Sequence, residues 1–600
     1  MRDHNEQRGD GAASIAWSVR SAAYPVAFSR TVGLFTPPLA EHAACNCAVL
    51  FLSPWGLEEM CTRRIWRELA ERFAAKGIAS LRFDYPGTGD SLDGAGLEGG
   101  LPVWEEVIVR AAGELRRLAG IDRLVLVGQG LGATLAVAMA GKLGNVAGAA
   151  LLAPVSSGRV YLRELSVWSK MVDEGLGLRD EQRSKAAVSL AGLLMPASVA
   201  TDLKAINVET ATASPAFQIF VAERAAREKD AALSAHLASL GADVSRQDYA
   251  GYDDLVSNPT VARAPRDVMH GVVDWVAGVA AGTGGGASPI VPGTAAQEGD
   301  GFREEAVRFA GEGRMFGVLC QPIGQRRGAT VVLLGTAYDR HAGWARSTVE
   351  TARHLARRGI ASLRFDAAGV ADSPVFPGAP ERELYKPRQR DDVKAAIDLV
   401  ERRGLGPAVL FGRCSGAYLA FQGALHDVRC RGAVVINPFT FEWDDRETVD
   451  EVMHGKPRSL GDYKRRALSL HTARRFARGE VNLLHAARSI ATQLGRRLLL
   501  QGPPVLSRLS KLGRLRATVH ASFRRLAERK VPIALVYSGG DIGLDRFHFF
   551  FGLGGKGLKA YPNVRHELYE DADHNMTPPE AQAFMRERIE QVALAAVDAG

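Results

Sequence analysis

GPAVLFGRCSGAYLA, residues Gly406–Ala420, joins an apolar run, a glycine-flanked pentapeptide and a second apolar run. AVLF is short and bounded by Pro and Gly, so it reads as a strand buried on both faces. AYLAFQGAL (Ala417–Leu425) reads as the helix that follows. The tight turn between them, GRCSG (Gly412–Gly416), has Cys414 at its centre. The same arrangement occurs once before, in the first half of the chain, as DRLVLVGQGLGATLA (Asp122–Ala136). There the pentapeptide is GQGLG (Gly128–Gly132), and Gly130 stands at the centre.

The repetition continues on both sides. The octapeptide GIASLRFD is found at Gly77–Asp84 and again at Gly359–Asp366. AVLFLSPW (Ala48–Trp55) matches TVVLLGTA (Thr330–Ala337), and GAALLAP (Gly148–Pro154) matches GAVVINP (Gly432–Pro438). Between these strands lie helical patterns such as RRIWRELAERFAAKG (Arg63–Gly77) and RSTVETARHLARRG (Arg346–Gly359), each with an apolar stripe at 3.6 spacing and a closing glycine. Strand–helix–strand alternation implies a mostly parallel sheet with helices on both faces. The chain therefore reads as a tandem duplication: an α/β unit over 25–280, a linker over 281–301 rich in Gly, Ala and Pro, and a second unit over 302–600.

Bulk composition fits this. Six hundred residues suit two large α/β domains, and 46% hydrophobic with 24% charged residues is ordinary for a globular protein. The N-terminal segment has no apolar stretch of signal-peptide type, and no apolar run approaches the ~20 residues of a membrane span. Six irregularly spaced cysteines argue against a disulfide framework. A cytoplasmic location is expected, with peripheral contact at the inner membrane as an option. No cofactor and no metal are expected; Cys45 and Cys47 are too isolated for a metal site.

A strand, then G-x-nucleophile-x-G, then a helix is the nucleophile elbow of α/β hydrolases. The turn holds its central residue in a strained backbone conformation beside a helix N-terminus, and flanking side chains would collide with the neighbouring strand and helix. A thiol there, near a histidine, is lowered in pKa and nucleophilic. The fold orders its triad as nucleophile, acid, histidine. VPIALVYSGGD (Val531–Asp541) ends a strand on Asp541, and VRHELYEDADHN (Val564–Asn575) leads from a strand to His574. His574 is expected to take the thiol proton and Asp541 to orient the imidazole, with Asp545 as the alternative acid. Asp571 and Asp573 read as turn residues. Oxyanion donors are expected at the N–H of Ser415 and in the loop after the early strand, at Thr336 or Ala337. The first repeat lacks all three parts: Gly130 has no side chain, the acid loop offers only Glu223, and Tyr249–Asn258 contains no histidine. It is expected to be catalytically inert. Asp84, Asp90, Asp366 and Asp372 occur in both copies, which favours a structural loop role.

One segment carries the basic charge. From Trp443 to Lys530 there are 20 Lys and Arg against 8 Asp and Glu, so the rest of the chain is net acidic although the whole is +8. Leu483, Ala487, Ile490, Leu494 and Leu498 recur there at helical spacing, which reads as a basic helical lid over about 443–530. Such a surface suits an acyl carrier protein, a coenzyme A phosphate or an anionic membrane. Nucleic acid is not expected, since few aromatics accompany the charge.

LLGTAYDRHAGWAR (Leu333–Arg346), GIASLRFDAAGVADSP (Gly359–Pro374) and GRCSGA (Gly412–Ala417) resemble the serine aminopeptidase-like branch of α/β hydrolases, and within it the exosortase-A-system-associated hydrolases of bacteria. The resemblance covers both halves. It departs from the common pattern in having Cys where most members have Ser. In that box it is similar to dienelactone hydrolases and polyhydroxyalkanoate synthases, which form thioester intermediates. An acyl ester or thioester hydrolase acting through a Cys414 acyl-enzyme is the leading expectation. An acyltransferase of the same chemistry is second, and a non-catalytic binding or scaffolding protein is the alternative of another class.

Overall fold

The computed structural model describes residues 23–39, 45–93, 97–184, 186, 188–190, 192–225, 227–281, 289–380, 383–444 and 511–598. Two sheets of similar plan follow one another. The first contains β1 (Tyr24–Phe28), β2 (Thr31–Thr36), β3 (Cys47–Leu52), β4 (Ser80–Phe83), β5 (Arg123–Gln129) and β6 (Val146–Leu152). After a small hairpin, β7 (Ser189–Leu190) with β8 (Leu193–Leu194), it is completed by β9 (Gln218–Glu223) and β10 (Asp243–Asp248). The eight strands lie in the order β1-β2-β4-β3-β5-β6-β9-β10. From β4 onward every pairing is parallel.

The second sheet comprises β11 (Ala295–Gly299), β12 (Phe302–Phe309), β13 (Met315–Pro322), β14 (Thr330–Leu334), β15 (Ser362–Phe365), β16 (Ala408–Arg413), β17 (Cys430–Ile436), β18 (Ile533–Ser538) and β19 (Val564–Tyr569). Its order, β11-β12-β13-β15-β14-β16-β17-β18-β19, repeats the first with one added edge strand. Both sheets have the strand order of the α/β-hydrolase fold, so the chain folds as two tandem α/β domains of that plan. Their central strands are fully buried, as the unbroken apolar runs require. β11 corrects the linker: the stretch 281–301 ends inside the second sheet, where Ala295–Gly299 pairs antiparallel with β12. An edge strand of small and polar residues is held by backbone bonds and shows no apolar period to read.

The basic segment also needs a correction at its ends. Its middle, 445–510, including Leu483–Leu498, lies outside the described residues. The helix Lys511–Glu528 is not part of a solvated lid: it buries Val519, Phe523 and Leu526 at 3–4 spacing and packs Phe523 on Phe421 at 4.9 Å. Among the described residues no helix is long and apolar enough to cross a membrane.

The two repeats are joined by a buried seam. Val32 and Leu34 of the first sheet share a small apolar cluster with Ala295, Ala306, Phe316 and Val318 of the second. Beside it lies a buried set of ion pairs built on the four repeated aspartates. Arg364 of the second repeat reaches Asp90 of the first at 2.9 Å, and Arg82 of the first reaches Asp372 of the second at 2.5 Å. These are the same residue types at the same repeat positions, exchanged across a pseudo-two-fold relation. Arg63 adds a second bond to Asp372 at 2.8 Å. Three of these aspartates, Asp84, Asp90 and Asp372, thus pair with cations of the opposite repeat, while Asp366 holds His341 of its own.

Candidate active site

The elbow follows from backbone sterics. Cys414 has φ 56° and ψ −120°, and Gly130 in the first repeat has φ 53° and ψ −121°. A cysteine at positive φ is strained, at a cost of order 1–3 kcal/mol, and persists only where the surroundings dictate it. They do. A Cβ on Gly412 would lie 2.0 Å from the Gly416 carbonyl oxygen, and one on Gly416 would lie 2.7 Å from that of Gly335. Gly412→Ala is therefore expected to destabilise the second domain by about 1–3 kcal/mol, read as a lowered urea midpoint at unchanged slope.

His574 lies on the loop after β19, and its Nδ1 is 2.5 Å from Asp541 Oδ2 just past β18. The other Asp541 oxygen accepts the Gly543 N–H at 2.7 Å, so the carboxylate is fixed at both ends. On its other side the His574 ring hydrogen-bonds the Cys414 thiol. The structure thus brings together three side chains that stand far apart in the sequence. Burial opposes ionisation of the thiol, but the charge and hydrogen bond of His574 outweigh it, with aid from Arg413 and the Ser415 N–H, and hold Cys414 below the ordinary thiol range. Burial likewise opposes the imidazolium, yet Asp541 and Cys414 together raise His574 well above its usual value. A thiolate–imidazolium pair is the state these neighbours favour. Cys430 and Cys320, buried without such a partner, are pushed up to about 11 and above.

Asp545, the alternative acid, is exposed on the first turn of the helix Leu544–Phe551, and of the two carboxylates it is Asp541 that meets the His574 ring. Asp573 caps its own turn through the N–H groups of Asn575 and Thr577. Asp571 meets Arg179 of the first repeat at 2.8 Å. On the oxyanion side it is Ala337 whose N–H reaches the elbow, donating to Ser415 Oγ at 2.7 Å. Thr336 engages instead through its hydroxyl, which donates to the Arg413 carbonyl at 3.0 Å.

Several supporting residues carried no signal in the sequence. Asn437, at φ 49°, donates to the His574 carbonyl at 2.9 Å and to Ser538 Oγ at 2.8 Å, tying the ends of β17 and β18 to the histidine loop. Arg413 bonds Asn575, latching the nucleophile strand to the same loop. Tyr385, at φ 61°, hydrogen-bonds the Cys414 sulfur, stacks on Trp443 at 4.2 Å and meets Tyr418 edge-on at 5.0 Å. A loop tyrosine has no periodicity to mark it.

The first repeat keeps the elbow and fills it. Glu58 occupies the slot in front of Gly130, its carboxylate 2.3 Å from where a Cβ would stand. Gln129 and Tyr252 hydrogen-bond Glu58 at 3.1 and 3.2 Å, and burial pushes its carboxyl up. Glu223, the one acid in the expected position, pairs with Arg246 at 2.6 Å. The turn of the first repeat thus has no side chain at its centre, and the space in front of it is filled.

No family model matches the sequence, nor does any curated protein. Solved structures similar to it include an esterase of Pyrococcus furiosus, at 14% identity over 48% of this chain and 92% of that one, with a TM-score of 0.29. An esterase of Rhizomucor miehei is similar at 17% identity over 44% of this chain and 84% of that one, TM-score 0.31. The bacterial brefeldin A esterase is similar at 16% identity over 44% and 76%, TM-score 0.30.

Proposed function

We propose that the second repeat is an acyl-transfer enzyme, a hydrolase of acyl esters or thioesters in which Cys414 carries the acyl group. The observation that supports this above all is the continuous chain from the Cys414 thiol through His574 to Asp541 at a strained elbow. The thiolate adds to the acyl carbonyl carbon, and the carbonyl π pair moves onto oxygen. That oxygen takes over the Ala337 N–H from the Ser415 hydroxyl and also accepts from the Ser415 N–H. Collapse breaks the bond to the leaving group, which receives a proton from the His574 imidazolium. Water then attacks the thioester as His574 takes its proton, and the acid leaves as the sulfur recovers its electron pair. A hydroxyl or amine in place of water makes the same steps an acyltransferase, and product analysis with and without such acceptors separates the two.

Intact-mass trapping tests the proposal. A panel of activated esters and acyl-thioesters should leave one acyl adduct on the wild type and none on Cys414→Ala. An adduct that survives Cys414→Ala, or none with any donor, overturns it.

The thiol's ionisation gives a separate prediction. Thiolate is the reactive form, so alkylation by iodoacetamide slows as pH falls through the Cys414 pKa. With His574 lowering that value, reactivity should persist well below the free-thiol range near 8.5. In His574→Ala the fall should move to higher pH. Overlapping pH–rate profiles in the two proteins would mean the thiol is not activated.

A further inference from the structure

The loop Gly335–Gly343 follows β14 and carries the Ala337 N–H. Ala337 has φ 47°, a conformation that costs a non-glycine residue free energy unless its surroundings hold it. Local bonds account for part of that hold: the Asp339 N–H donates to the Thr336 carbonyl at 2.9 Å, and the Gly343 N–H to the Arg340 carbonyl at 2.8 Å. The rest comes from the other repeat. Arg340, 3% exposed, donates to Glu59 at 2.7 Å and to Asp84 at 3.1 Å, both first-repeat carboxylates. His341, fully buried, has Nε2 2.6 Å from Asp90 of the first repeat and Nδ1 3.0 Å from Asp366 of its own. Its backbone N–H also donates to Asp366 at 2.6 Å.

The two copies of this loop have diverged in a complementary way. The register that aligns Trp55 with Ala337 on one side, and Gly77 with Gly359 on the other, sets Arg340 and His341 opposite Glu58 and Glu59. The live copy carries two cations where the dead copy carries two anions. Glu58 closes the dead elbow, while Glu59 crosses the seam to Arg340. A seam that served cohesion alone could keep the symmetric Arg–Asp exchange and nothing more. These additional contacts converge on one loop, a few residues from the oxyanion-side N–H.

We propose that the first repeat is a positioning partner in the second repeat's reaction: Glu59, Asp84 and Asp90 hold Arg340 and His341, and so fix the loop that presents the Ala337 N–H to the acyl oxygen. This rests on the acyl-transfer reading above. Asp84, Asp90, Arg340 and His341 are positioning residues; none touches the reacting atoms.

The test uses the full chain and two readouts. Iodoacetamide alkylation of Cys414 needs the thiolate but no oxyanion donor, whereas turnover of p-nitrophenyl butyrate needs both. In His341→Gln and Asp84→Asn, kcat is expected to fall about 10–10²-fold, short of or equal to the loss of one oxyanion donor. KM should stay within about threefold and the alkylation rate within about twofold of wild type. Arg340→Lys, which keeps the charge, should recover part of the turnover that Arg340→Gln loses. Asp84→Asn leaves Arg340 its Glu59 partner, so it provides the comparison should His341→Gln not fold. Turnover unchanged in folded Asp84→Asn, or turnover and alkylation falling together, overturns the proposal. A wild type that alkylates rapidly at Cys414 yet shows no Cys414-dependent turnover with any donor defeats the underlying acyl-transfer reading instead.

Discussion

His574→Ala is expected to slow acylation of Cys414 by about 10²–10⁴-fold, the range a positioned acid–base group contributes. The loss has two sources. The imidazolium no longer stabilises the thiolate, and no proton is delivered to the leaving group. Single-turnover formation of the acyl adduct, followed by intact mass, measures the first step directly. Asp541→Asn should also be impaired, because its amide can present a donor to Nδ1 where the carboxylate only accepts. Asp545→Asn should behave as wild type, since Asp545 is exposed and Asp541 holds the ring. Equal rates in His574→Ala and wild type would remove His574 from the reaction.

The largest effect on stability is expected at the seam, from Asp372→Ala. Asp372 is fully buried and accepts from Arg63 and from Arg82, itself 0% exposed. Removing the carboxylate strands a guanidinium in the interior, and breaking a buried pair this way costs about 3–5 kcal/mol. The urea midpoint should fall accordingly. Adding Arg82→Met should recover much of the loss, because an apolar side chain of similar length needs no counter-ion. If the double variant is no more stable than Asp372→Ala, the pair is not what Asp372 contributes. Burial opposes ionisation of Asp372, yet Arg63 and Arg82 outweigh it and hold the carboxyl far below its ordinary value. Its contribution is therefore present at neutral pH and is lost only as the medium becomes strongly acidic.

Much of the site is legible in the sequence because the fold fixes the order of its parts. An apolar strand, a G-x-C-x-G turn and a helix declare an elbow wherever they occur, and the acid and histidine follow at the ends of later strands. Cys414, Asp541 and His574 can be read this way, and the structure brings their side chains together. Other features leave no trace. Nothing in EEM, the residues Glu58–Met60, says that one carboxylate fills the neighbouring turn and the next reaches another domain. β11 reads as linker because an edge strand is defined by its partner's backbone. Ala337 rather than Thr336 directs its N–H to the elbow because a positive φ at Ala337 turns the peptide, and φ is set by what surrounds the loop.

The duplication, the α/β plan of each half and which half carries a thiol at its glycine-flanked turn are all written in the order of the residues. Hydrophobic periodicity and glycine sterics act over a few positions, so each leaves a local mark. How the halves meet, what fills the turn at Gly130 and what holds the loop of Ala337 emerge only on folding. The seam depends on charges from opposite halves of the chain becoming neighbours in the buried interior, and the filled turn on Glu58 folding back onto Gly130 within its own repeat; such pairing is a property of packing that no local pattern encodes.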